Sequence, residues 1–209
     1  MFAHRHVPSG QRLNQLIPLV SNLVEKIFLE RKSMIEQQTD AVRMLTAQHR
    51  EMEDLLKQVK ESDDTNRQSL FAKAADKLTV HIKSEEEIFY PAVNAARTED
   101  DLLESLEEHL SLKRLLADLL EMDPAEKEFE AKFKVLKEQT EHHHEEEEEK
   151  LFPAVLRMID GDKREELGRE MLALQQEMTA QGEPREGVTD ETAAAAPLNS
   201  PQEQSGKQA

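Results

Sequence analysis

The sequence predicts an all-α protein, an up-down-up-down four-helix bundle with extra N- and C-terminal helices, and three observations carry that prediction. Apolar residues recur at spacings of three, four and seven over four long stretches, the mark of helices with one buried face. Glycine is scarce, 6 of 209 residues, while 34% of residues are charged, which favours long amphipathic helices over sheets. The chain also repeats itself. Residues 81 to 93 read His-Ile-Lys-Ser-Glu-Glu-Glu-Ile-Phe-Tyr-Pro-Ala-Val, and residues 143 to 155 read His-His-Glu-Glu-Glu-Glu-Glu-Lys-Leu-Phe-Pro-Ala-Val.

Residues 1–33 form an N-terminal extension, in which Leu13, Leu16, Leu19, Leu23, Ile27 and Phe28 give an amphipathic helix over 12–32; Met34 is an alternative start. The apolar run at 16–20 is too short for a secretory signal, and no window approaches the ~20 apolar residues of a membrane span. The bundle occupies 34–160. Its first helix, over 35–60, carries Ile35, Val42, Leu45, Met52, Leu56 and Val59 on one face, with His49 in the series. A polar turn over 61–66 leads to a second helix with Phe71, Ala74, Leu78, Ile88 and Val93, where His81 and Glu85 fill core positions. Thr98 followed by Glu99, Asp100 and Asp101 starts a third helix, with Leu102, Leu106, His109, Leu116 and Leu120 in its stripe. Asp123-Pro124-Ala125-Glu126 reads as N-cap, proline at the first helical position and glutamate at the third, so a fourth helix starts there. It carries Phe133, Leu136, Thr140, His143, Glu147, Leu151 and Ala154 on one side.

Pro91 and Pro153 occupy equivalent places in the repeat and should kink or end their helices. A C-terminal helix over 161–181 shows Leu167, Met171, Leu174 and Met178, and the tail 182–209, rich in Pro, Ala, Ser and Gln, is expected to be disordered. His49 precedes the first repeat copy as His109 precedes the second, so one helix pair duplicates the other.

The totals narrow the function. Cysteine is absent, which removes thiolate and iron-sulfur chemistry and leaves nitrogen and oxygen as the donors for any metal. Asp and Glu number 44 against 27 Lys and Arg, a formal net charge of -17. Such a surface repels phosphate backbones and anionic lipid, so neither nucleic acid nor a membrane is an expected partner, and cations are favoured. A cytoplasmic location needs no further assumption, and the oligomeric state stays open.

A histidine and a glutamate four residues apart on a helix lie one above the other. His81 with Glu85 and His143 with Glu147 therefore each offer an imidazole and a carboxylate to one point. His49 and His109 supply one inward imidazole from each remaining helix. A lone core histidine is more often simply hydrogen-bonded, and most of the carboxylates only keep a bundle soluble. Here six such groups share the core register, and burying them with nothing to bind would cost several kcal/mol per unpaired charge. A cation removes that cost. His49, His81, Glu85, His109, His143 and Glu147 are the expected metal ligands, whereas His142, His144, Glu145, Glu146, Glu148 and Glu149 are expected on a solvated face, so Ala at Glu146 or Glu148 should be harmless. Acidification through the histidine range should release the metal.

These residues resemble the hemerythrin-like proteins of the HHE cation-binding domain type, over about residues 35–159: His49, His81-x-x-x-Glu85 followed by Phe89-Tyr90-Pro91, His109, and His143-x-x-x-Glu147 followed by Leu151-Phe152-Pro153. The resemblance implies a bundle with an oxo- or hydroxo-bridged pair of iron ions, manganese being an alternative, with Glu85 and Glu147 bridging. Members of this family bind or sense dioxygen, nitric oxide or peroxide, or respond to iron. The expectation is a binding or sensing protein rather than an enzyme, with peroxide or nitric oxide detoxification and iron buffering as the alternatives. Oxygen carriers have a second histidine one turn after the third-helix one; here that position is Lys113, which must swing away or pair with a carboxylate, leaving about two histidines per iron. The ferritin-like alternative needs Glu-x-x-His on two helices. Glu141 to His144 fits, but its repeat counterpart, Thr79 to Ile82, has neither group.

Overall fold

The computed structural model describes residues 39–95 and 97–199, so the amphipathic helix expected over 12–32 and the end of the tail lie outside the described residues. Helix α1 spans Ala41–Glu61 and α2 spans Asp64–Ser84. A one-turn π-helix, Glu85–Phe89, continues α2 into the short α3, Tyr90–Val93. Helix α4 is Glu99–Leu120 and α5 is Lys127–Glu146. A second π-turn, Glu147–Leu151, leads into α6, Phe152–Met158. Then come α7, Gly161–Gln181, and a 3-10 helix, Pro184–Glu191. No strand occurs among the described residues. The four long helices α1, α2, α4 and α5 close an up-down-up-down bundle, α7 lies against α1 and α2, and the 3-10 helix lies against α2 and α4.

Local signals set most of the boundaries. The carboxylates of Asp40, Asp63 and Asp160 cap α1, α2 and α7 by accepting the N–H of Arg43, Asn66 and Lys163, which satisfies donors the helix cannot. Two starts differ from expectation. Thr98 precedes α4, but its hydroxyl donates to the Val93 carbonyl at 2.7 Å instead of capping the helix. Helix α5 begins at Lys127, four residues after Asp123, because Asp123 closes a turn by accepting the N–H of Ala125 on its side chain and that of Glu126 on its carbonyl.

Neither repeat proline ends its helix. Each is preceded by a π-turn in which the N–H of Tyr90 or Phe152 reaches back to the carbonyl of Glu85 or Glu147. The wider turn accommodates a ring that has no N–H to give and would collide with a regular α-helix. Both π-turns open on the inward glutamates, so the irregularity and the candidate ligands coincide.

The core is in two parts. One apolar cluster runs from Met52, Leu56, Leu78 and Ile82 to Leu112, Phe129 and Leu136. The other contains Leu45, Phe89, Tyr90, Leu106, Leu151, Phe152 and Met171. Between them, along every long helix, lie the buried histidines and glutamates.

The tail departs from expectation. Val188 is buried in the first cluster and Ala195, Ala196 and Leu198 pack on the second, so chain expected to be disordered is held as far as Leu198 by packing that a compositional reading misses. One close approach fixes α7: a methyl group at Gly168 would stand 1.8 Å from the Thr39 carbonyl oxygen. Gly168→Ala is therefore expected to destabilise by about 1–3 kcal/mol despite its better helix propensity, whereas Gly161→Ala, which meets only an arginine tip at 3.9 Å, should not. Urea melts of the two variants decide this, and equal midpoints would contradict it.

Candidate metal centre

The structure brings all six predicted side chains into the polar layer between the two clusters, each buried. Donor atoms of His49, His81, Glu85 and Glu147 lie within 4.8 Å of one another, as do those of Glu85, His109 and His143. Glu85 belongs to both groups. On one side, His49 Nε2 stands 3.2 Å from Glu147 Oε2 and His81 Nε2 stands 3.3 Å from Glu85 Oε1. On the other, His109 Nε2 is 3.4 Å from Glu85 Oε2 and His143 Nε2 is 3.7 Å from Glu147 Oε2. The two carboxylates thus lie between two pairs of imidazoles.

The four rings share one arrangement. Nδ1 donates outward, from His49 to Glu148 at 2.9 Å, from His81 to Gln48 at 3.0 Å, from His109 to Glu86 at 3.2 Å and from His143 to Glu108 at 2.8 Å. A proton fixed on Nδ1 leaves Nε2 facing inward, as a metal-binding histidine requires; on one side the Nε2 atoms of His109 and His143 also meet each other at 2.9 Å. Inside, His49 Nε2, His81 Nε2, both oxygens of Glu85 and Glu147 Oε2 are buried without a hydrogen-bond partner. Orphans of this kind are rare in folded proteins because each forfeits its hydration. Here they face one another acceptor to acceptor, an arrangement that a cation satisfies.

The electrostatics agree. Burial lowers the pKa of His81 and His144, with the His49 ring adding to it, and burial also lowers that of His109, so these imidazoles are neutral and able to ligate. For His143 burial is outweighed by Glu147 and Glu108, which raise it. Burial and then the facing Glu147 push Glu85 well above the carboxylate range. The same burial at Glu147 is overcome by His143 and His49, which hold it at about 2. The lowered imidazoles bind fewer protons in the folded chain than in the unfolded one, whose histidines titrate near ~6.5, so they make stability fall as pH drops below that value. His143 and Glu85, both raised, have the opposite sign, two groups against three imidazoles. Urea midpoints of metal-free protein should drop between about pH 7.5 and about pH 5.5; a flat or rising midpoint would contradict it.

Two residues at the centre escaped the sequence reading. His144, expected on a solvated face, is buried, stacks on His49 with ring centroids 3.9 Å apart, and has neither nitrogen hydrogen-bonded. It forms a third cluster with His49 and His81, which replaces the expected two-and-two symmetry by three imidazoles on one side. Tyr90 is fully buried and its hydroxyl donates to Glu147 Oε1 at 2.9 Å, 3.3 Å from His109 Nε2. Burial, with Glu147 and Glu85 nearby, raises its pKa well above the ordinary value, so it remains a phenol. A signal for both existed: their repeat counterparts are Ile82 and Phe152, polar groups standing where the duplicate has apolar ones. Glu148 is a further correction, since it holds His49 and also accepts Arg50 at 2.6 Å; Ala there should disturb the centre, leaving Glu146 as the harmless control. His142 is exposed, as expected.

Lys113 takes the second of its two expected courses. Its Nζ donates to Glu86 at 2.6 Å and to Glu191 at 2.8 Å, away from the imidazoles.

A helical bundle that sets imidazoles and carboxylates in one buried layer defines a cation-binding bundle protein. The hemerythrin HHE cation-binding domain matches residues 40–155, more than half of the chain, and the chain belongs to that family. Among solved structures it is similar to a hemerythrin HHE cation-binding domain-containing protein from Mycobacterium kansasii, at 25% identity and a TM-score of 0.61, over 68% of this chain and 88% of that one. It is also 28% identical over 135 residues to a curated protein of Nostoc sp. described as a DNA nickase; the match takes in 64% of this chain, and the chain spans 38% of that relative's length. No helix among the described residues is long and apolar enough to cross a membrane.

Proposed function

We propose that the layer holds two metal ions, iron first and manganese as the alternative, and that the protein binds or senses a small diatomic ligand, dioxygen or nitric oxide, at them. The observation that supports this best is the common orientation of His49, His81, His109 and His143, each Nδ1 tied outward and each Nε2 facing the carboxylates of Glu85 and Glu147. Nitrogen and oxygen donors of this hardness suit iron or manganese rather than soft metals. His49, His81 and His144 would hold one ion and His109 and His143 the other, with Glu85 and Glu147 shared. Bound iron would supply reversible electron exchange with the small ligand.

The chain's own residues do the rest. Tyr90 holds Glu147 in place and keeps its proton on Oη beside His109. The two apolar clusters exclude water on either side. A groove of about 640 Å³ between α1, α2 and α7 reaches His81, and the hydrogen-bonded amides of Gln48 and Gln175 line it. Nucleic acid is not a partner in this reading: a formal charge of -17 repels it, and the nickase description belongs to a much longer protein. The absence of cysteine fits a cytoplasmic protein.

Metal analysis with absorption spectra, recorded in air and then without oxygen under dithionite, tests the reading. Two iron ions per chain and a near-ultraviolet band that bleaches on reduction are expected; metal-free, colourless protein after iron-supplemented expression would overturn it. Sustained consumption of peroxide or nitric oxide under reductant would turn the binding reading into a detoxifying enzyme.

A further inference from the structure

One chain of buried contacts is left unused by the proposed ligands. It runs from the surface to the His109 ring. Glu86, 6% exposed, accepts His109 Nδ1 at 3.2 Å on one oxygen and Lys113 Nζ at 2.6 Å on the other. Lys113, itself buried, gives its second bond to Glu191 at 2.8 Å. Glu86 is thus held at both of its oxygens.

Glu191 is the last residue of the 3-10 helix that follows α7, and that segment is fastened at several points. Val188 is buried in the first apolar cluster. Arg185 pairs with Asp76 at 2.6 Å, Lys83 donates to Glu191 at 2.5 Å, and Arg114 donates to the carbonyls of Thr192 and Ala193. The strap thus spans α2 and α4 across the position where oxygen carriers have another histidine.

The geometry points to Glu191, Lys113 and Glu86 as positioning residues: a C-terminal strap that fixes the tautomer and orientation of His109 and thereby tunes metal affinity on the His109–His143 side of the centre. The physical reason is directional. Nε2 of His109 offers a lone pair inward only while Nδ1 keeps its proton, and Nδ1 keeps it because Glu86 accepts there. Glu86 could turn to solvent if Lys113 did not hold its other oxygen, and Lys113, on a flexible stem, needs a second carboxylate to stay inside. Glu191 supplies it. His49 and His143 are tied to residues of the bundle, and His81 to Gln48, which Gln175 of α7 holds, so only His109 depends on the 3-10 strap.

This inference rests on the two-ion reading, and its test separates the two. Glu191→Gln and Glu191→Asp are compared with the native full-length chain and with Glu166→Gln, a change in an exposed ion pair of α7. In metal-free protein, nitrogen-detected NMR of the imidazoles should show His109 as the Nδ1–H tautomer in the native chain, mixed in Glu191→Gln, and restored by Glu191→Asp. In anaerobic ferrous titrations against a competing chelator, Glu191→Gln should weaken one of two equivalents by about 10- to 100-fold and leave the other unchanged. Unaltered His109 resonances together with two native affinities would overturn the strap's role. Native protein that binds no iron would overturn the metal reading, while the tautomer comparison would still decide for or against the positioning.

Discussion

Glu85→Gln is expected to abolish binding of both ions and, at the same time, to make the metal-free protein more stable, by about 1–3 kcal/mol. The two effects have one cause. Glu85 stands in both candidate half-sites, with both oxygens buried and unpartnered, and burial plus the facing Glu147 push its carboxyl up. The penalty builds as pH rises from the ordinary carboxylate range toward that raised pKa, so the native chain carries a strained pair of acids that a metal would relieve. Glutamine keeps the shape, removes the charge, and gives Glu147 Oε2 a donor. Metal analysis and urea melts in chelator read the two effects. A Glu85→Gln protein that retained two ions, or that melted earlier than the native apoprotein, would contradict the picture of a layer built for cations at the expense of its own stability.

His144→Ala is expected to weaken one ion by about 100-fold or more, beyond what loss of a supporting hydrogen bond produces, whereas His142→Ala one residue earlier should change nothing. His144 has two orphan nitrogens in a dry site beside His49 and His81; His142 is largely exposed and pairs only loosely with Glu146 at 3.8 Å. A phenylalanine at 144 separates ligation from packing, since it keeps the stack on His49 but offers no lone pair. Competitive titration of ferrous or manganous ion reads the result. Tight binding of both ions by His144→Phe would leave His144 as packing alone, and the centre would revert to two imidazoles per ion.

The bundle was legible because its causes are local. The helix stripes and the repeat are visible residue by residue, and they place His49, His81, Glu85, His109, His143 and Glu147 in one layer. His144 was not legible because a single helix stripe assumes one neighbour. Helix α5 has two, facing α4 with His143, which reaches Glu108, and α1 with His144, which reaches His49. Consecutive residues, about 100° apart around the axis, are then both inside. Glu86 and Glu191 depend on contacts across more than 20 and 70 residues, and nothing in their own neighbourhoods marks them. The ordered tail was hidden for a related reason: Val188 is one apolar residue in a polar stretch, and its burial is decided by the groove it meets.

The division of the core into two apolar clusters has a thermodynamic corollary. Each end of the bundle has its own greasy plug, so withdrawing a cation from the middle removes the clasp at the waist without dismantling either end. Chelation should therefore leave helix content nearly intact while amide exchange quickens at the two π-turns and their neighbours, and stays slow around Leu56 and Leu45. Such a molecule would report an empty centre by breathing at its girdle rather than by unfolding.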